Sequence, residues 1–211
     1  MRIIAGQRRG HKFEGPKGGR TRPTSDLVRE SLFNILGAEV AGRIVVDLFA
    51  GTGALGLEAL SRGATRAIFV ERNRDNVTLI YRNLATLRFE DRARVLTADA
   101  YRWARSFEPI DDEPLIVFLD PPYGEYEDRP LKIRELLEHL VGRLPEGSVI
   151  AAESRRALDE GILPDLDAWD IRRYGGTQIA IRSLERGEPS ATGSEPPAAP
   201  EAGRGVSDAD R

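Results

Sequence analysis

The sequence predicts an α/β fold of the Rossmann-like kind, with a doubly wound and mostly parallel sheet. From residue 44 onwards, short apolar runs alternate with longer amphipathic segments, as in chains built from strand–helix–strand units. The first apolar run ends in a glycine-rich loop that opens a helix, which is typical of ligand-binding sheets of this class. With 211 residues, 40% of them hydrophobic, the chain has room for one well-buried domain of this type.

Seven strands are expected, over residues 44–49, 67–71, 94–97, 115–120, 148–153, 169–174 and 177–183. The first five are separated by segments long enough for crossover helices, so they should run parallel. Helical spacing of apolar residues predicts helices that begin near Asp26 and stop at Gly37, and others over 77–87 and 133–141. Gly175 and Gly176 join the last two strands, so the sheet should end in a hairpin with an antiparallel strand.

The N-terminal end of the chain differs in charge from the rest. Residues 1–22 hold seven Lys or Arg against one acid, although the whole chain has a net charge of −3. Gly6 and Gly10 interrupt a loosely alternating pattern there, which predicts a small basic β-hairpin arm suited to a polyanion such as nucleic acid; a merely solvated basic segment is the alternative. Residues 23–184 should form the catalytic domain, and 185–211, acidic and rich in Pro, Gly and Ser, a disordered tail.

Composition excludes several classes of protein. The chain has no cysteine, which rules out disulfides, zinc–thiolate sites, iron–sulfur clusters and cysteine nucleophiles. With only two histidines we expect no metal site. No apolar stretch approaches the roughly 20 residues of a membrane span and no signal-peptide pattern is present, so we expect a cytoplasmic protein.

The glycine loop follows the first strand and has the spacing G-x-G-x-x-G at Gly51, Gly53 and Gly56. That pattern first suggests a dinucleotide, whose pyrophosphate lies at the helix N-terminus. Asp47, four residues before the first glycine, would not help to bind a pyrophosphate, whereas a carboxylate can hold an ammonium group. The loop therefore favours S-adenosylmethionine, which carries an ammonium and a sulfonium and no phosphate.

Acidic residues also follow the next strands. Glu71 ends the second strand, where it can accept from ribose hydroxyls, and Asp99 follows the third, where it can accept from an adenine amine. Either acid alone is equally explained as a strand-end or helix-capping residue. Four acids at successive strand ends, Asp47, Glu71, Asp99 and Asp120, indicate one crevice at the carboxyl ends of the strands.

The fourth strand ends in Asp120-Pro121-Pro122-Tyr123. A carboxylate and a backbone carbonyl beside a proline can accept the two N–H bonds of a nucleobase amine, while an aromatic ring stacks on a base taken out of its helix. Asp-Pro-Pro is also an ordinary way to stop a strand. The tetrapeptide, called the clamp below, indicates chemistry on an exocyclic amine.

The chain resembles the class I S-adenosylmethionine-dependent methyltransferases, and within them the RsmD-type 16S ribosomal RNA guanine-N2 methyltransferases. The resemblance extends to residue 183 and rests on the following segments: 2–6, Arg9-Gly10, Arg22-Pro23-Thr24 with Asp26, 28–30, 32–34, 49–62, Asn83-Leu84 and the clamp. Arg8 departs from it, since family members often have an aromatic residue there, and so does the acidic tail.

The resemblance implies roles for individual residues. Cofactor contacts fall on Asp47, Phe49, Ala50, Gly51, Thr52, Gly53, Glu71, Arg72, Asn73, Asp99 and Ala100; Asp120, Pro121, Pro122 and Tyr123 form the catalytic set. We assign RNA contacts to the basic residues Arg8, Arg9, Lys12, Arg20 and Arg22. The implied substrate is guanine 966 of 16S ribosomal RNA in an assembled or assembling small subunit, and a monomer is expected.

Four alternatives remain at this point. A DNA adenine-N6 methyltransferase uses the same clamp chemistry, but a separate target-recognition domain is missing from the sequence pattern. Methylation of a protein glutamine poses the same amine problem, although a basic arm would be unexpected there. A non-catalytic RNA-binding assembly factor, or a dinucleotide oxidoreductase, is compatible with the fold alone.

Overall fold

The computed structural model describes residues 1–16, 26–109, 112–122 and 124–184. The expectations for Arg20, Arg22, Tyr123 and the acidic tail fall on residues outside these ranges. Within them, no helix is long and apolar enough to cross a membrane.

One seven-stranded sheet forms the centre of the molecule. Its strands are β1 (Ile44–Leu48), β2 (Arg66–Glu71), β3 (Ala93–Thr97), β4 (Leu115–Leu119), β5 (Val149–Ser154), β6 (Asp170–Tyr174) and β7 (Thr177–Ser183). They lie in the order β3-β2-β1-β4-β5-β7-β6. The first five are parallel, while β7 pairs antiparallel with both β5 and β6. The predicted fold class is confirmed, and every strand boundary lies within one residue of its prediction.

Helices cover both faces of the sheet. They are α1 (Asp26–Leu36), α2 (Ala54–Ser61), α3 (Arg74–Leu87), α4 (Ala100–Ser106), α5 (Glu125–Asp128) and α6 (Pro130–Val141). Apolar residues of α1, α2 and α3 pack on one face in a cluster that includes Phe33, Phe69 and Phe118. Those of α4, α5 and α6 pack on the other face. Alternate residues of β1, β2, β4 and β5 supply the two clusters, because side chains of a strand point to opposite faces in turn.

The order of successive strands reverses at β1: β2 and β3 follow on one side of it, and β4 and β5 lie on the other. Leu48 at the end of β1 is in register with Val70 of β2 and with Leu119 of β4. The carboxyl ends of these parallel strands therefore meet at one edge of the sheet, here called the carboxyl edge. In open α/β sheets a ligand crevice forms at such a switch point.

The first 16 residues form a hairpin that packs along α2 and α3. Arg2 and Lys12 form an antiparallel bridge, and the amide of Ile3 donates to the carbonyl of His11. Ile3 and Phe13 are buried in the core. At Gly6, where φ is +82°, a Cβ atom would lie 1.9 Å from the carbonyl oxygen of Ser61, so only glycine permits this approach. The hairpin is thus part of the hydrophobic core.

A buried carboxylate fastens this hairpin to α2. Glu58 is fully buried, and its oxygens accept from the amides of Ile4 and Ala5 at 2.9 and 3.0 Å. Arg62 donates to it at 2.8 Å, and the Nε atom of buried Arg29 lies 3.9 Å away. Two cations and two amides compensate the charge, which a buried carboxylate requires.

Candidate active site at the carboxyl edge

The glycine loop turns sharply between β1 and α2. Phe49, Gly51 and Gly53 all have positive φ angles, of 60°, 54° and 80°. Such angles are easily adopted by glycine but strain a residue with a Cβ atom, so the Phe49 backbone is held by its surroundings. The loop is fixed from behind by buried Asn83, whose Nδ2 atom donates to the carbonyl of Thr52 at 3.0 Å. The result is a largely buried loop with a defined backbone shape.

Asp47 lies under this loop and caps α2. Its Oδ2 atom accepts from the amide of Gly56 at 2.9 Å, a role that the residue before the helix, Gly53, cannot fill without a side chain. Burial raises the pKa of the Asp47 carboxyl well above its usual range; the hydrogen bond from Gly56 opposes this, and the charges of Asp120 and Glu71 raise the pKa further. A cation beside Asp47 would relieve that unfavourable burial of charge.

Glu71, at the end of β2, connects the glycine loop to the start of α3. Its Oε2 atom accepts from the amide of Gly51 at 2.8 Å, and its Oε1 atom accepts from the amide of Asn73 at 2.7 Å. Asn73 in turn caps α3 by accepting from the amides of Asp75 and Asn76. Each carboxylate oxygen can accept a second hydrogen bond, so this arrangement leaves acceptors for ligand hydroxyls.

Asp99 lies at the start of α4 and accepts from the amide of Arg102 at 3.0 Å. One carboxylate oxygen of Asp99 therefore caps α4, as the alternative interpretation predicts. The other oxygen lies 4.0 Å from Nη1 of Arg72. Arg72 also lies 3.7 Å from Glu125, which accepts from the Tyr101 hydroxyl at 2.7 Å. This network ties the end of β2 and α4 to α5, the helix that follows the clamp.

Asp120 and Pro121 line a cleft at the end of β4 with a volume of about 160 Å³. Tyr126 of α5 and Glu153 and Ser154 of β5 lie in the same wall. Leu48 and Leu119 are in register, so Asp120 follows β4 next to the start of the glycine loop after β1, and its charge contributes to the raised pKa of Asp47. We expect the ring of Tyr123 to stack on the base, and this residue lies outside the described ranges.

The basic residues of the hairpin lie farther from the crevice. The Arg8 amide donates to Ser61 at the end of α2, and its Nε atom donates to the carbonyl of Leu87 at the end of α3. Both helices begin at the carboxyl edge, so Arg8 lies at the opposite edge, roughly 12 Å away for the eight residues of α2. Arg9 and Lys12 are exposed. An RNA that touches both Arg8 and the crevice must span at least the length of α2.

Three features of the site were not expected from the sequence. Glu153 is next to the last residue of β5, as Asp47 is in β1, and the pattern of acids near strand ends would have identified it. The Tyr101–Glu125 hydrogen bond joins residues 24 positions apart, which no local pattern reveals. Asn83 occupies an ordinary position on the buried side of α3. Among the described residues, no three His, Cys, Asp or Glu side chains form a cluster that could hold a metal ion.

Comparison with known proteins assigns the chain to a family. A family model described as "Conserved hypothetical protein 95" matches residues 1–183. The ribosomal RNA small subunit methyltransferase D of Escherichia coli strain K12 is 37% identical over 192 residues, which cover 88% of this chain and 90% of the relative. The chain belongs to this RsmD-type methyltransferase family.

Solved structures agree with this assignment. An Escherichia coli structure named yhhF is 36% identical, covers 88% of this chain and 99% of its own, and superposes with a TM-score of 0.69. An RNA methyltransferase from Salinibacter ruber, in complex with S-adenosyl-L-homocysteine, is 19% identical and covers 82% of this chain and 100% of its own, with a TM-score of 0.59. The second likeness shows the fold alone. The sheet and its helices are those of a Rossmann-like class I methyltransferase.

Proposed function

We propose that this protein transfers the methyl group of S-adenosylmethionine to the N2 amine of a guanine in small-subunit ribosomal RNA. The observation that carries the proposal is the cleft containing Asp120 and Pro121, which follows β4 next to the strand that leads into the glycine loop, in a chain of the RsmD-type family. The Escherichia coli relative is named for methylation of ribosomal RNA of the small subunit, which supports the choice of RNA.

The chemistry of the crevice suits this cofactor. Asp47, Glu71 and Asp99 offer carboxylate acceptors at the ends of successive strands. An ammonium, two ribose hydroxyls and an adenine amine are all hydrogen-bond donors, so they match this set, whereas a pyrophosphate would meet like charge. The positive φ angles of Gly51 and Gly53 open the backbone to close approach. Bound there, S-adenosylmethionine would supply an electrophilic methyl carbon on its sulfonium.

Asp120 and the carbonyl of Pro121 would act on the target amine. The amine of guanine is a poor nucleophile because its lone pair is delocalised into the ring. Two acceptors facing its two N–H bonds return the lone pair to nitrogen and hold it in line for attack. Formation of the bond from nitrogen to the methyl carbon would break the sulfur–carbon bond of the cofactor, and Asp120 or water would take one amine proton. Basic residues of the hairpin would hold the RNA backbone through phosphate contacts.

The test supplies radiolabelled S-adenosylmethionine with undermethylated small ribosomal subunits, free ribosomal RNA and DNA in parallel, followed by nucleoside analysis. We expect N2-methylguanosine in the ribosomal RNA, and the comparison of subunits with free RNA shows which form is the substrate. N6-methyladenine in DNA, or label found only in protein, would contradict the proposal.

Substitution of the clamp residue tests the mechanism. Asp120→Ala should lower the methylation rate by a factor of about 100 or more, since one acceptor and the proton's destination are lost. The affinity for S-adenosylmethionine should change little. Asp91→Asn, at an exposed residue of the turn before β3, serves as the control. A normal rate in Asp120→Ala would refute the role of the clamp.

A further inference from the structure

The cleft beside the clamp contains a second carboxylate. Leu119 at the end of β4 and Ala152 of β5 are registered neighbours, and the next residues are Asp120, which follows β4, and Glu153 of β5. Neighbouring strands are about 4.8 Å apart. Side chains along a strand point to opposite faces in turn, so those of Asp120 and Glu153 belong to the same face of the sheet as that of Asp47. Both residues line the cleft.

The wall between these carboxylates includes a neutral donor. The Tyr126 ring is 3% exposed, and its hydroxyl has no hydrogen-bond partner among the residues that the structure describes. Burial raises the pKa of Tyr126 well above its usual range, and the charges of Asp120 and Glu153 raise it further, so the phenol stays protonated. The phenol is therefore a buried, protonated donor of a residue that lines the cleft.

The cleft walls are fixed relative to one another. Nη1 of Arg156 donates to the carbonyl of Tyr126 at 2.9 Å, which ties α5 to the segment after β5. The Arg156 amide donates to the Ser154 hydroxyl at 3.0 Å. On the other side, the Tyr101–Glu125 hydrogen bond holds α5 against α4. A cleft with such supports can discriminate between ligands of similar size.

Two adjacent carboxylates select a particular edge of a base. A carboxylate only accepts hydrogen bonds, so it favours N–H groups and repels lone pairs. On the Watson–Crick edge of guanine, the N2 amine is next to the N1–H group, which gives adjacent donors. In adenine and cytosine the amine is next to an unprotonated ring nitrogen, whose lone pair would face the second carboxylate. Of these bases, guanine alone matches both acceptors.

We propose that Glu153 is a specificity-determining residue, which accepts the N1–H of the target guanine while Asp120 accepts from its N2 amine. This inference rests on the proposed function, since it explains why the same site would choose guanine. It gives Glu153 contact with the base but no part in transferring the methyl group.

The test uses two substrates that differ at the target base, guanine or 2-aminopurine, placed in the RNA or particle that the methylation assay identifies. The analogue keeps the N2 amine and replaces N1–H by a lone pair. The wild-type protein should prefer guanine by a kcat/KM ratio on the order of 100, because the analogue leaves Glu153 facing a lone pair. Glu153→Gln should reduce that ratio at least about tenfold, since its amide can donate to the ring nitrogen.

Controls separate the inference from the proposed function. Each ratio compares the kcat/KM values of two substrates with the same protein preparation. If a variant is only partly folded, both values fall by the same factor and the ratio does not change. Glu153→Asp keeps an acceptor and should keep the guanine preference even if its rate falls. Glu108→Gln, at an exposed residue after α4, should match the wild type. An unchanged ratio in Glu153→Gln, with guanine methylated normally by the wild type, overturns the inference alone. A wild type that does not methylate guanine overturns both proposals.

Discussion

Glu71→Gln tests whether the two hydrogen bonds of Glu71 hold the glycine loop of the proposed cofactor site. In the wild type, both oxygens of Glu71 accept from backbone amides, those of Gly51 and Asn73, at 2.8 and 2.7 Å. Glutamine has the same shape but only one acceptor. Whichever way its amide turns, one backbone N–H will face an NH2 group. The substitution therefore removes one hydrogen bond and sets two donors against each other.

The magnitude follows from the burial of Glu71, which is 8% exposed. A hydrogen bond to a charged group contributes about 1.5–3 kcal/mol. The free energy of unfolding should fall by about that amount, and Tm by about 3–12 °C, since roughly 2–4 °C correspond to 1 kcal/mol in a chain of this size. If the freed amide of Gly51 loosens the loop, affinity for S-adenosylmethionine should weaken about tenfold, which corresponds to 1.4 kcal/mol.

Thermal unfolding and calorimetric titration with S-adenosylmethionine measure both effects. Glu113→Gln, an identical change at an exposed residue before β4, should leave Tm and affinity unchanged. Glu71→Ala provides the upper limit, since it removes both acceptors. If Glu71→Gln melts with the wild type and binds the cofactor equally well, then these two hydrogen bonds do not hold the loop.

Two further predictions concern the same loop. Because the folded-state pKa of Asp47 is raised above its unfolded value of about 3.9, its contribution to stability is greatest at pH below that value and is lost as pH rises through the folded-state pKa. Unfolding measured across pH should show this loss in the wild type and not in Asp47→Asn, which can still accept from Gly56; identical pH profiles would contradict the assignment. In Gly56→Ala, the new Cβ would lie 2.3 Å from Cε1 of buried Phe69, so denaturant unfolding should show a loss of about 1–3 kcal/mol. Gly176→Ala has no atom within 4 Å of its new Cβ and should leave stability nearly unchanged; equal stabilities of the two variants would show that Phe69 moves aside freely.

The strands and the acids at their ends are predictable from the sequence because both signals are local. A buried parallel strand is a continuous apolar run, and an acid that follows it must lie at the carboxyl edge. The amino-acid pattern alone therefore places Asp47, Glu71 and Asp120 together. The cleft partner Glu153 obeys the same rule, since it lies at the end of the fifth apolar run.

The contacts of the hairpin are not predictable in this way, since they depend on residues distant in sequence. Glu58 has the spacing of an ordinary helical acid, and only the docked amides of Ile4 and Ala5 explain its burial. The charge of Arg8 predicts a contact with RNA. In the structure its Nε atom donates to the carbonyl of Leu87, one of the acceptors that every helix leaves unpaired at its C-terminus, and the RNA contact stays a prediction.

The antiparallel strand β7 also determines on which side of the molecule Leu184 lies. Leu184 donates to the carbonyl of Ser148 at 2.8 Å and its own carbonyl is bonded to the amide of Gly147, so it is held at the start of β5. The clamp lies at the other end of that six-residue strand, about 20 Å away. A fluorophore or surface tether attached just after Leu184 would thus begin on the far side of the molecule from the crevice. Immobilised enzyme prepared in this way should present its catalytic edge to incoming RNA.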